Sequence, residues 1–154
     1  MAIIALFSAI LASLGHDLAV RAATTERVVV SRHSGLAIEG FDPVAYFTEA
    51  QAAVGLRDFE ASKAGAVWRF RNQGNRASFV AHPEIYGPRF GGYDPVDLVR
   101  GVTYPGNPRF WAIVDQRLYL FGREEHRDAF AANPAHFLKD ATARWPALEQ
   151  ELAQ

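Results

Sequence analysis

Alternating apolar and polar residues in the middle of the chain predict a β-hairpin. The segments 57–61 and 66–71 flank the loop 62–65, and strand alternation places Trp68 and Phe70 on one face. We expect these aromatic residues to face a core that is shared between the two halves of the chain.

Aspartate and proline mark the ends of the helices predicted around this hairpin. Asp42 and Pro43 predict a short helix over 44–49, because Asp caps a helix and Pro fits its first position. After the hairpin a helix is predicted over 75–81. Pro83 ends it or starts a new turn, because the residue before a proline avoids helical geometry.

The same order of elements is predicted again further along the chain. Asp94 caps a short helix that runs to about residue 99, and a second hairpin turns at 115–116. The other predicted strands and helices lie at 109–114, 118–121, 124–132 and 134–144. Pro146 is expected to break the last helix, leaving a final helical turn at 147–152.

The two halves also share sequence, which indicates an internal repeat. Five residues recur 51 positions later: Arg76, Phe79, Ala81, Pro83 and Tyr86 return as Arg127, Phe130, Ala132, Pro134 and Phe137. The block 40–44 returns at 92–96, now 52 positions later. We therefore predict an α+β fold in which two repeated helix–β-hairpin–helix units form one compact domain with antiparallel strands.

The predicted domain covers residues 38–150 and follows an N-terminal arm at 24–37. Its two copies lie at about 40–87 and 92–138, and the C-terminal helix continues to 150.

Charge and composition narrow the classes of partner. The chain has 154 residues, a formal net charge of −1 and no cysteine. A net charge near zero gives no electrostatic reason to expect a nucleic-acid partner. The lack of cysteine excludes thiolate metal sites, disulfides and cysteine nucleophiles.

Residues 1–23 are predicted to be a signal peptide. The uncharged apolar run 3–14 is shorter than the roughly 20 residues of a spanning helix, and small residues follow at Ala22 and Ala23. No Lys or Arg precedes the run, so a buried helix is the alternative. With the signal interpretation, the mature chain begins near Thr24, is exported, most simply to the periplasm, and carries no transmembrane span.

An ordered set of motifs resembles the YHS-domain family, closest to its exported, single-domain branch. The motifs are Gly-Phe-Asp-Pro-Val-Ala-Tyr-Phe at 40–47, Trp-Arg-Phe at 68–70, Arg76-x-x-Phe79-x-x-x-Pro83-x-x-Tyr86, Gly-Gly-Tyr at 91–93 and Trp-Pro-Ala-Leu at 145–148. The resemblance covers roughly residues 38–148 and implies a small α+β module. In the cysteine-bearing members it also implies metal binding through thiols.

The family's cysteine positions fall on different residues in the two copies. In the first copy they correspond to Ala45, Arg71 and Asn75, none of which is a good metal ligand. In the second copy they correspond to Asp97, Gly122 and His126. Asp97 and His126 can bind a divalent metal such as copper or zinc through oxygen and imidazole nitrogen. Asp94 and His136 would join them only if the fold brings them close.

Three functions remain open from the sequence. We expect a non-enzymatic binding domain whose ligand is a divalent metal, held by Asp97, His126 and Asp94. The alternative is a metal-free module that binds an unknown protein or a small ligand through the aromatic loop 90–104, with its surface formed by Phe90, Tyr93 and Tyr104. A third hypothesis is an enzyme that uses Asp94 or His126 as a general base.

Overall fold

The structure, a computed structural model, describes residues 27–153. The predicted signal peptide at 1–23 and the first residues of the predicted arm lie outside this range. Within the described part of the chain, no helix is both long enough and apolar enough to cross a membrane.

Six helices and two hairpins follow one another in the predicted order. They are α1 (Ala45–Thr48), β1 (Leu56–Lys63), β2 (Ala66–Phe70), α2 (Gln73–Ala81), α3 (Pro83–Tyr86), α4 (Pro95–Leu98), β3 (Asn107–Val114), β4 (Arg117–Phe121), α5 (Glu124–Ala132) and α6 (Pro134–Leu152). Short 3₁₀ turns lie at Ile38–Gly40 and Arg89–Gly92. Within residues 27–153, β1 pairs with β2 and β3 pairs with β4, both antiparallel, so the predicted α+β class is confirmed.

Both hairpins have the same irregular geometry. A register shift lies between Leu56 and Glu60 in the first hairpin and between Asn107 and Trp111 in the second. Each turn is two residues long, with positive φ at both positions: 64–65 and 115–116. This left-handed turn matches the twist of the strands that it joins. The bulge and the turn therefore recur together, as expected for two copies of one unit.

The apolar residues form two clusters that repeat the same aromatic contacts. Phe79 of α2 lies 4.8 Å from Trp68 and 5.2 Å from Phe70, measured between ring centroids. Phe130 of α5 repeats this, at 5.0 Å from Tyr119 and 5.1 Å from Phe121. In both halves the aromatic side chains of the second hairpin strand thus face the following helix.

The two halves are joined through their cores and through the N-terminal arm. Leu118 and Leu120 of β4 are fully buried in the first cluster, although they belong to the second half. The arm contacts both 3₁₀ turns, because the Val29 N–H donates to Gly91 O at 2.8 Å and the Val29 carbonyl accepts from the Ile38 N–H at 3.0 Å. A side chain at Gly91 would collide with the Arg27 carbonyl, so glycine is needed there.

The C-terminal helix differs from the prediction. The expected break at Pro146 is wrong, since α6 continues through this residue to Leu152. Apolar residues on both sides of the proline pack against the second cluster at helical spacing: Phe137, Leu138, Ala141, Trp145, Leu148 and Leu152. Burial of this stripe maintains the helix despite the lost backbone donor at Pro146, whose ring lies on the exposed side.

Candidate metal centre

Asp94 is a fully buried carboxylate that connects three elements of the second half. Its Oδ1 accepts a hydrogen bond from the Val96 N–H at 2.8 Å, which confirms the predicted cap of α4. Its Oδ2 accepts from the Gly122 N–H at the end of β4, at 2.7 Å. The same oxygen lies 2.7 Å from Nδ1 of His126 in the first turn of α5.

The contact with Asp94 fixes the orientation of the His126 imidazole. The contact between Nδ1 and the Asp94 carboxylate holds this edge of the ring towards Asp94 and leaves Nε2 on the opposite edge. The side chain is only 14% exposed, which limits its motion. A buried carboxylate that orients a histidine in this way is typical both of metal ligands and of general bases.

Asp97 is buried without a hydrogen-bond partner. Its side chain is 1% exposed, and among the described residues neither of its oxygens accepts a hydrogen bond. Nη2 of Arg100 approaches Oδ1 to 3.0 Å, and Nη2 of Arg123 lies 3.9 Å from Oδ2, as ion pairs without hydrogen-bond alignment. Two ion pairs therefore compensate the charge of Asp97 while its oxygens accept no hydrogen bond, which distinguishes it from Asp94.

The three side chains together form a group of possible metal donors. Oδ2 of Asp97 lies 3.7 Å from Nδ1 of His126, and one donor atom from each of Asp94, Asp97 and His126 can be chosen with all three within 4.8 Å of one another. Two carboxylates and one imidazole make a three-ligand set of the kind that leaves a position open on zinc. His136 is not in this group, since it is exposed on α6 with its ring against Phe137.

The first half contains the same scaffold with two of the three donors replaced. Oδ1 of Asp42 accepts from the Val44 N–H at 2.8 Å, and Oδ2 accepts from the Arg71 N–H at 2.7 Å. In place of the histidine, Nδ2 of Asn75 donates to Oδ2 at 2.7 Å. The position of Asp97 is occupied by Ala45, which is fully buried. Two substitutions thus separate a structural cap from the candidate metal centre.

The aromatic loop 90–104 is mostly internal. Phe90 and Tyr93 are buried in the second cluster, where both contact the ring of Trp145, so the expectation that they form an exposed surface is corrected. Their loop position suggested exposure, but α6 covers it. Tyr104 is 49% exposed, and its ring lies close to Gly122, where any side chain would meet it.

Arg100 and Arg123 are the residues that sequence reasoning missed. Arg100 follows Asp97 by three positions at the end of α4, a spacing at which opposite charges often pair, so the signal for it was present. Arg123 directly precedes α5, and only the fold places it beside Asp97.

Comparisons of the chain with models of protein families, with curated proteins and with solved structures found no match. The resemblance to YHS-domain proteins continues to rest on the motifs alone.

Proposed function

We propose that this chain is an exported, non-enzymatic binding domain of YHS type, which binds one divalent transition metal ion through Asp94, Asp97 and His126. Asp97 carries the proposal. Its carboxylate is almost completely buried and accepts no hydrogen bond within residues 27–153. A metal ion bound here would give these oxygens ligand bonds in place of the hydrogen bonds they lack, in addition to the ion pairs with Arg100 and Arg123.

The distances between the donors suit a small metal ion. Zinc binds carboxylate oxygen and imidazole nitrogen at about 2.0–2.2 Å. An ion at such a distance from Asp97 Oδ2 and His126 Nδ1, which lie 3.7 Å apart, would subtend an angle of roughly 120° between them. Asp94 Oδ2 lies 2.7 Å from the same nitrogen, which is a hydrogen-bond distance, whereas two ligands of one tetrahedral zinc ion lie about 3.4 Å apart, so this pair would have to separate before both could ligate.

Imidazole and carboxylate ligands favour zinc or copper over calcium or magnesium. Calcium and magnesium prefer oxygen alone, whereas the imidazole of His126 adds a nitrogen donor. The same donor set does not separate zinc from copper, since both accept histidine and carboxylate. Ligation through Nδ1 would require this nitrogen to give up its hydrogen bond to Asp94, with the ring hydrogen on Nε2.

The alternative function is a metal-free interaction module, and one observation favours it. Val102 and Tyr104 are two residues apart in the same loop and are both among the exposed large hydrophobic residues. They would replace Phe90 and Tyr93 as the contact surface. A partner protein or a small apolar ligand would then bind beside α4, with the duplicated core as its scaffold.

Calorimetric titration with Zn(II) and Cu(II) tests the metal proposal. We expect one ion per chain with micromolar or tighter affinity, and a loss of at least about tenfold in the His126→Asn variant. Asparagine is the informative replacement, because Asn75 makes the same hydrogen bond to Asp42 in the first half. The scaffold should therefore survive while the imidazole is removed.

His136→Asn is the matched control, since this histidine is exposed and does not belong to the donor group. It should bind metal like the unmodified chain. Absence of binding in the unmodified chain, or equal affinity in His126→Asn, would contradict the metal site and favour the interaction module.

A further inference from the structure

We infer that a cavity between the two halves binds an amphiphilic carboxylate, a small ligand with an apolar body and an anionic head. The cavity has a volume of about 490 Å³. Small-molecule sites typically measure roughly 300–1,000 Å³ and often lie where two structural units meet. Asp94, Asp97 and His126 do not line this cavity, so the inference is independent of the metal site.

The floor of the cavity is aromatic and comes from both halves. Trp68 and Phe79 belong to the first apolar cluster, whereas Phe90 and Trp145 belong to the second. The polar atom of Trp68 is already used, because its Nε1 donates to the Lys63 carbonyl at 3.0 Å. The rings therefore offer apolar contact to a ligand, which suits an aliphatic or aromatic body.

The repeat explains why this space is left in the first half. Tyr86 corresponds to Phe137, so Gly87 corresponds to Leu138. Leu138 continues α6 and packs against the second cluster, whereas α3 ends at Tyr86. A Cβ at Gly87 would lie 2.7 Å from the Pro83 carbonyl oxygen, which the Gly87 N–H contacts at 2.8 Å. The first half thus lacks an apolar side chain that the second half has, and the body of a ligand would take its place.

The rim of the cavity carries three exposed cations, Arg27, Lys63 and Arg89. Within residues 27–153, neither Arg27 nor Lys63 forms an ion pair. The guanidinium of Arg89 lies 5.5 Å from the centroid of the Phe90 ring, at the edge of the aromatic floor. Cations above an apolar floor favour a ligand with a negatively charged head.

Two acids also line the cavity, and they reduce this positive charge without cancelling it. Glu84 lies beside His82, whose Nδ1 is 3.5 Å from its carboxylate, and Glu149 is half-buried on α6. A fourth cation lies close by, because Nη1 of Arg117 donates to the Glu84 carbonyl at 3.1 Å. Four cations against two acids leave an excess of two formal positive charges, which a carboxylate complements better than a cation does.

Calorimetric titration of the full chain with three probes of equal chain length tests the inference: octanoate, octylammonium and 1-octanol. EDTA is present throughout, so that no metal-bound carboxylate contributes. We expect one octanoate per chain, bound at least about tenfold more tightly than either other probe, because only octanoate pairs with the rim cations. Binding should also change the fluorescence of Trp68 and Trp145, which line the cavity.

The variant Arg27→Glu/Lys63→Glu should reverse the preference. Octanoate should bind at least about tenfold more weakly and octylammonium more tightly, while the affinity for 1-octanol stays the same. The single change Lys63→Gln should weaken octanoate by a smaller factor, and it guards against a folding defect in the double variant. Both residues are exposed, so the fold should tolerate these changes.

Arg57→Glu/Lys139→Glu is the matched control, since both residues are exposed, neither lines the cavity, and the net charge changes by the same amount. It should bind octanoate like the unmodified chain. Absence of octanoate binding, equal affinity for the three probes, or unchanged octanoate affinity in Arg27→Glu/Lys63→Glu would overturn the inference. These outcomes leave the metal site untouched, because EDTA keeps metal ions out of the titration.

Discussion

At the scale of single residues, two positions distinguish the halves of this protein. Asp42 and Asp94 do the same structural work, each capping the start of a short helix and accepting the N–H at the end of the following hairpin. The replacement of Asn75 by His126, and of Ala45 by Asp97, adds a buried carboxylate that is ion-paired but accepts no hydrogen bond among the described residues. Sites that lower stability in this way are often functional.

Tyr46 gives a residue-scale prediction for alkaline pH. Its hydroxyl is buried and donates to the Pro108 carbonyl at 2.8 Å, which links the two halves. Burial, and secondly the charge of Asp42, raise the pKa of Tyr46 above its ordinary value. The unfolded chain loses this proton near pH 10 and the folded chain only at higher pH, so the contribution to stability is present below about pH 10 and lost above it.

In the variant Tyr46→Phe, we expect the free energy of unfolding at neutral pH to fall by about 1 kcal/mol, because one buried hydrogen bond is lost. The decline of stability above pH 10 should also become shallower. Urea unfolding monitored from pH 7 to pH 11 measures both effects. Tyr104→Phe, at a half-exposed position, should leave the neutral-pH value unchanged, and an identical pH profile for Tyr46→Phe and the unmodified chain would contradict the assignment.

At the scale of elements, sequence patterns predicted most of the fold but not that α6 continues through Pro146. Helix α5 lies where its pattern places it, at Glu124–Ala132. Helix α2 begins two residues earlier than predicted, because the Asn72 side chain accepts the Asn75 N–H at 2.8 Å and so caps the helix. The helix continues through Pro146 because burial of the apolar stripe on both sides of this residue outweighs the low helix propensity of proline.

Replacing Pro146 should therefore stabilise the protein. Pro146→Ala restores a backbone N–H that can donate to the Thr142 carbonyl, and we expect the free energy of unfolding to rise by about 1–2 kcal/mol after allowing for the more flexible unfolded chain. Chemical denaturation measures this directly. Pro88→Ala, outside the helices, is a control expected to show no gain, while a lower stability for Pro146→Ala would contradict the helix described here.

At the scale of the whole molecule, the duplication explains why the candidate site could be predicted only in part. The repeat and the motifs placed Asp97 and His126 at two positions where members of the YHS family carry cysteine. In the structure, Oδ2 of Asp97 lies 3.7 Å from Nδ1 of His126. The role of Asp94 as the partner of the imidazole was not predicted, since a cap and a histidine 32 positions later show no sequence periodicity. The position of Arg123 beside Asp97 could not be predicted from the sequence, because it depends on how the start of α5 packs beside α4.

We propose that one half of this duplicated fold binds metal and that the other half is structural. Anomalous diffraction at the zinc absorption edge, from crystals of the chain grown with Zn(II), tests this most directly. We expect one strong peak per chain, about 2.0–2.2 Å from a carboxylate oxygen of Asp97 and from a nitrogen of His126, and no peak beside Asp42 and Asn75. A peak at the first half, or no peak among Asp94, Asp97 and His126, would contradict the account.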